Sequence, residues 1–199
     1  MAKLKIYTFP DTVLKQKAAP IARVEKSYFK LADDMLETMY HAPGIGLAAN
    51  QVGLLERIVV IDTDYKLDDL PEGAPPPDLA EGGEVVSGGI ITNRKPIVMI
   101  NPEIVYREGS QIYCEGCLSV PEYQEEVKRA EKVKVEYQDP DGLKHTLSAE
   151  GLLAVCIQHE LDHLDGKLFI DRLSTIKRDL VKKKLIRARA EKEASESED

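Results

Sequence analysis

The chain predicts an α+β fold in which antiparallel sheets pack around a central helix. Two stretches carry apolar residues dense enough for long helices, one from residue 28 to 40 and one from 149 to 164. Between them lie short apolar or alternating runs of strand length, which fits sheets gathered between two helices. The second helix also carries His159, Glu160 and His163 as an H-E-x-x-H run, so the element expected in the middle of the fold bears chemistry as well.

The elements follow in order. Tyr28, Leu31, Ala32, Met35, Leu36, Met39 and Tyr40 form one helical stripe, and Gly44 after Pro43 reads as its stop. Residues 57–62 and 96–100 are apolar runs of strand length. Residues 132–137 alternate, with Val133, Val135 and Tyr137 on one face. Asp139, Pro140, Asp141 and Gly142 make a turn into a strand at 143–147, giving a hairpin. The run 149–164 is long enough for about four helical turns, with Ser148 as N-cap and Gly166 as C-terminal stop. A short strand is expected at 167–170. The segment 176–189 reads as a basic helix, carrying Lys177, Arg178, Lys182, Lys183, Lys184, Arg187 and Arg189 among apolar residues.

This order divides the chain into a catalytic domain at 1–174, a basic helix at 175–190 and an acidic tail at 191–199 expected to be disordered. The domain is interrupted at about 65–95 by a segment rich in acidic residues and glycines that holds Pro71, Pro75, Pro76 and Pro77. Such an insertion costs little stability when its ends are anchored, and it serves either as a solvated excursion or as a flap.

At 199 residues the chain is long enough for one well-buried core. Three cysteines do not suggest a disulfide framework, so a reducing, cytoplasmic compartment is expected. Neither a secretory leader nor an apolar run of membrane-spanning length is seen. A net charge of -8 argues against dedicated DNA binding.

Histidines four apart lie on one helix face and can share a cation, while Glu160 between them is left to handle protons. Two imidazoles do not saturate a divalent metal. The chain has no histidine after His163, so the three-histidine protease pattern fails; Asp171 downstream and Cys117 upstream remain, and Cys117 is the better candidate. Ligation by Cys117, His159 and His163 would leave a fourth position for water, whose pKa the cation lowers towards neutrality. Glu160 would take the proton of that attacking water and pass it to the leaving amine.

A competing arrangement adds Cys114 to make a closed structural site. The 41 residues between Cys117 and His159 speak against it, since finger-like sites use about 12 to 15. Cys156 lies one turn before His159 on the same face, near Leu152 and Val155, where an apolar pocket or plain core packing would put it. Gly46 permits close approach of a peptide backbone.

Three blocks carry a resemblance: Gly44-Ile45-Gly46-Leu47-Ala48-Ala49-Asn50-Gln51, Glu115-Gly116-Cys117-Leu118-Ser119 and Gln158-His159-Glu160-Leu161-Asp162-His163. In this order they resemble the signature blocks of the peptide deformylase family, and with their flanks they cover roughly residues 4–64 and 96–180. The resemblance implies removal of the N-formyl group from the initiator methionine of nascent chains, with release of formate. It implies Cys117, His159 and His163 as metal ligands and Glu160 as general base and acid. It gives Gln51, through its side-chain amide, and Leu118, through its backbone N–H, the part of oxyanion donors; without it Gln51 reads as an ordinary polar residue after a glycine-rich turn. Ile45, Gly46, Gly116 and Cys156 would then meet the substrate.

The cofactor implied is one divalent ion, Fe(II) in the cell, with Zn(II), Ni(II) or Co(II) in purified samples. Some members of the family touch the ribosome through a C-terminal helix, which gives the basic segment 175–190 a partner. The insertion at 65–95 departs from the pattern, because a typical member has a short connection there.

Overall fold

The computed structural model describes residues 3–68, 84–86 and 89–196. Helix α1 (Ser27–His41) buries Ala32, Met35, Met39 and Tyr40, the stripe expected from their spacing. Strands β1 (Gly46–Ala48) and β2 (Ile58–Ile61) follow, then β3 (Lys66–Asp68), β4 (Glu84–Val86) and β5 (Gly89–Thr92). Next come β6 (Ile97–Glu108), β7 (Gln111–Cys117), β8 (Val120–Arg129), β9 (Lys132–Gln138) and β10 (Lys144–Glu150). Helix α2 (Gly151–Leu164) and helix α3 (Thr175–Glu196) complete the described chain.

A five-stranded sheet has the order β1-β2-β6-β9-β10, with every neighbouring pair antiparallel. The all-apolar β2 explains how the helices are arranged. Its alternate side chains face opposite ways, so Val59 and Ile61 join the cluster around Ile157, Leu161 and Leu164 of α2, while Ile58 and Val60 join that of Met35 and Met39 of α1. The sheet is thus covered on both faces, and β2 has no polar side. Burying an aliphatic side chain contributes roughly 1.5 to 3 kcal/mol, so this strand is a large part of what holds α2 in place.

The hairpin forms as expected, with Gly142 at φ +80° and its N–H donating to Asp139 O. Strand β6 runs further than the expected 96–100, to Glu108, because irregularities after Ile100 and Ile104 let it stay paired with β9. Asn101 sits there at φ +52°, and its amide bonds the backbone of Ile21 at 2.8 Å in both directions.

Three local expectations are corrected. Ser148 is not an N-cap; it pairs with Lys134 inside β10, and the chain passes from strand to helix through Gly151 at φ +59°. Gly44 closes α1 by donating its N–H to Met39 O at 2.9 Å, without the left-handed conformation usual for a glycine cap. A side chain there would meet Leu118 Cδ1 at 2.7 Å, so the glycine also provides space. Residues 167–170 do not form a strand: Leu168, Phe169 and Ile170 are all buried, and the chain turns into a short 3-10 helix (Phe169–Arg172). The Asp171 carboxylate accepts the Leu168 N–H and favours this turn. Finally, the acidic segment expected to be disordered from residue 191 continues α3 through Glu196, after an Arg187–Glu191 pair one turn apart at 2.7 Å. Residues 197–199 lie outside the described residues. Gly166 behaves as expected, ending α2 at φ +70° with its N–H donating to His163 O.

Part of the insertion is ordered as a three-stranded sheet, β3-β5-β4. One buried carboxylate ties its two ends: Asp62 accepts the N–H groups of Asp64 and Tyr65 on one side and that of Lys95 on the other. Tyr40 donates its hydroxyl to the same group at 2.7 Å. The segment 69–83, which holds the four prolines, lies outside the described residues.

Candidate active site

Every residue of α2 from Ala154 to Leu164 is buried, so its two histidines are held in a dry surround. Cys117 reaches them from the end of β7, where the β7–β8 ladder slips between Glu115 and Cys117. The slip sets Glu115 inward, at 4% exposure, and brings Cys117 Sγ to 3.2 Å from His163 Nε2. One donor atom from each of Cys117, His159 and His163 lies within 4.8 Å of the others. Metal–nitrogen bonds of about 2.0 to 2.1 Å and metal–sulfur bonds of about 2.3 Å fit that spread around one ion. The donor set of one thiolate and two imidazoles suits iron or zinc.

Cys114 is exposed and stands 3.9 Å from Gln124 Oε1, outside the group, so a closed four-ligand site does not form. Asp171 is also elsewhere, gripped by Lys15 and Lys182.

His159 is oriented by a chain of buried charges. Its Nδ1 lies 2.7 Å from Glu115 Oε2, which leaves Nε2 to face a metal. Arg129 grips Glu115 through Nε and Nη2 and reaches Asp162 through Nη1, and Arg172 donates twice to Asp162 from the other side. Burial pushes the Glu115 carboxyl up, but the hydrogen bonds from Arg129 and His159 outweigh it and hold the pKa at about 2. Phe169 stacks against the His159 ring at a centroid distance of 6.0 Å. Burial drives the His163 pKa well below its ordinary value, so that ring is neutral and able to ligate.

Glu160 is 4% exposed, and burial raises its pKa to about 7, with His159 and Arg129 pulling the other way. A carboxyl poised near neutrality is matched to proton transfer. Its Oε2 has no hydrogen-bond partner among the described residues. Gly46 lies against it so closely that a Cβ there would stand 2.3 Å from Glu160 Oε1 and 2.8 Å from Cys156 Sγ. The absence of a side chain at Gly46 therefore makes room for the carboxylate, a role that spacing along the chain does not reveal.

Gln51 is 1% exposed, and its amide orientation is set by Oε1 accepting the Ala48 N–H at 2.8 Å. Its Nε2 consequently points to Ser119 Oγ at 3.1 Å and Cys117 Sγ at 3.6 Å, beside the ligand group. Ile45, Gly46, Gln51, Gly116, Cys117, Leu118, Cys156, His159 and Glu160 all line one cleft of 860 Å³, with Leu152 and Val155 on its apolar wall. His163 lies behind this surface, 1% exposed, as part of the ligand group.

In the sequence Glu115 stands out only as part of a motif, and Arg129 does not stand out at all. The signal for Glu115 was an acidic residue two positions from a candidate ligand, since ligating histidines usually need a carboxylate partner. Nothing local marked Arg129, which lies in a strand with an ordinary charged pattern.

A model of the polypeptide deformylase family matches residues 3–179. The peptide deformylase of Nitrosococcus oceani is 50% identical over 184 residues, spanning 92% of this chain and 95% of that protein. Among solved structures, a peptide deformylase from Legionella pneumophila superposes with a TM-score of 0.76 at 39% identity, covering 96% of this chain and 98% of that one. That of Ehrlichia chaffeensis in complex with actinonin gives a TM-score of 0.75 at 38% identity, over 94% and 98% of the two chains. With the profile, the identities and the fold agreeing over nearly the whole length, the chain belongs to the polypeptide deformylase family.

Proposed function

We propose that the chain removes the N-terminal formyl group from formyl-methionine of newly made polypeptides, releasing formate and a free amine. The observation that carries this reading is the convergence, on one cleft, of a Cys-His-His donor group with a buried carboxyl poised near pH 7. A divalent cation held by Cys117, His159 and His163 supplies Lewis acidity for amide hydrolysis.

The remaining work belongs to the chain. Glu160 accepts a proton from the attacking water and returns it to the departing nitrogen, so one group serves as base and then acid. Gln51 Nε2 and the backbone N–H of Leu118 stabilise the charge that builds on the formyl oxygen, and the fixed amide of Gln51 needs no reorganisation to do so. Ile45, Leu152, Val155 and Cys156 form an apolar wall for the unbranched methionine side chain. One methylene changes such a contact by only about 1 to 3 kcal/mol, so other unbranched first residues are accepted with modest loss. Gly46 and Gly116 present backbone to an extended peptide.

The same donors accept iron, zinc, nickel or cobalt, and membership of the family favours iron in the cell. Formate release from a formyl-methionyl peptide by anaerobically loaded enzyme, with and without chelator, tests the reading. An absence of formate from the loaded enzyme refutes it.

The reaction takes place in the cytoplasm, at the emerging nascent chain. No helix of the described residues is long and apolar enough to cross a membrane. Helix α3 exposes Ile176 and Leu180 and offers Lys183, Lys184 and Arg187 to a ribosome surface. Val181 and the Lys182–Asp171 pair hold the helix to the domain, so charge reversal at Lys183 and Lys184 is a cleaner test than truncation. Reduced, salt-sensitive co-sedimentation is expected, and unchanged co-sedimentation removes the ribosome from the proposal.

A further inference from the structure

Helix α2 meets the cleft through Leu152, Val155, Cys156, His159 and Glu160, but a second depression lies against a different face of it, carrying Gln158, Leu161, Asp162 and Asp165. This depression encloses 330 Å³. Its wall holds five cationic side chains, Arg57, Arg107, Lys128, Arg129 and Arg172, against three anionic ones, Glu103, Asp162 and Asp165. A local excess of positive charge is unexpected in a chain whose net charge is -8.

The donors are unequally committed. Arg129 is buried and uses Nε, Nη1 and Nη2 on Glu115 and Asp162. Arg57 spends Nη1 on Asp165 and Nη2 on Pro102 O. Arg172 gives Nε and Nη2 to Asp162, whose two oxygens are thereby shared between two guanidinium groups. The side chains of Arg107 and Lys128 have no ion pair or hydrogen bond among the described residues. Two cations thus stand unpaired in the wall of a guanidinium-rich depression, with Glu103 the one carboxylate of that wall that also lacks a side-chain partner among the described residues.

We propose that this depression binds a phosphate group, free or carried on a small phosphomonoester. The free guanidinium of Arg107 beside the Lys128 ammonium suits a compact tetrahedral oxyanion, whose several oxygens can meet both donors at once. An extended nucleic-acid backbone fits less well, because the depression encloses only 330 Å³ and the chain carries a net charge of -8. The site shares Arg129 and Asp162 with the chain of contacts that orients His159, so it adjoins the active centre without opening into the cleft.

The test uses the full-length, metal-loaded protein and two probes that compete weakly for its metal. Sulfate and glycerol 2-phosphate are titrated separately by calorimetry, at ionic strength held constant with chloride. Saturable binding is expected, weakened about tenfold or more in the Arg107→Ser, Lys128→Ser double variant, because two charge-assisted contacts are removed. Both residues lie outside the cleft, so deformylation by the double variant matches the parent and reports that it is folded. Sulfate binding alone identifies the free oxyanion, and tighter binding of the ester identifies a phosphomonoester. No saturable heat with either probe, or equal affinity in the double variant, overturns the proposal.

Discussion

Replacing Gly46 by alanine isolates the contact between the cleft wall and the proton carrier. The backbone of Gly46 is not in the left-handed region, and β1 would accept an alanine on conformational grounds. The obstacle is the 2.3 Å separation between the added Cβ and Glu160 Oε1, with Cys156 Sγ at 2.8 Å closing the other direction. Restoring ordinary contact moves the carboxylate by about 1 Å, and a misplacement of that size costs on the order of 10²-fold in rate. Overpacking of a filled interior adds roughly 1 to 3 kcal/mol of lost stability. The three atoms nearest the new Cβ belong to Glu160 and Cys156 and not to the ligand group, so metal content should hold while kcat falls. The assay is steady-state deformylation of a formyl-methionyl peptide, with metal content measured on the same sample. A Gly46→Ala protein with kcat within about twofold of the parent would refute the reasoning, as would loss of metal at unchanged turnover of the loaded fraction.

The other predictions act on different groups. Glu160→Gln keeps size and polarity but removes the base, so kcat should drop about 10²- to 10⁴-fold with metal content unchanged. Glu115→Gln withdraws the anion that holds His159 and Arg129; metal affinity should fall about 10- to 100-fold in chelator competition, and the half-paired buried Arg129 should cost about 3 kcal/mol in denaturant unfolding. At Asp171, burial pushes the carboxyl up while Lys15, Lys182 and the Leu168 N–H hold it at about 2, below its ordinary 3.8. Its stabilisation is therefore full above about 3.8 and lost as pH falls towards 2. After allowance for solvent screening it amounts to about 1 kcal/mol, so Asp171→Asn should lower the neutral-pH Tm by roughly 2 to 4 °C. That difference should close on acidification below pH 4; a gap that persists at pH 2 would rule out the charge as its source.

Periodicity made α1, α2, β2 and the β9–β10 hairpin readable, because each is an element whose buried side repeats along the chain. It failed for residues 167–170, where an apolar run was buried by a turn and not by a sheet, and where the deciding interaction was a carboxylate to a backbone N–H. It also left β7 and β8 unassigned, since this pair is largely exposed and its charged residues do not alternate. Site residues were legible in proportion to their motifs. His159, Glu160 and His163 announced themselves by spacing, whereas Gln51 and Leu118 needed a likeness over three blocks to be noticed at all.

The sequence by itself placed two candidate ligands and a proton carrier on one apolar helix, because helical spacing is a local property, and it offered Cys117 as the better third donor through the likeness of three blocks. Only the tertiary structure decided what surrounds them. Glu115 at His159, Gly46 clearing space for Glu160, and Asp62 joining both ends of the insertion are contacts between segments far apart in the chain. Such contacts depend on how sheets and helices pack, and no pattern within either segment encodes the distance between them.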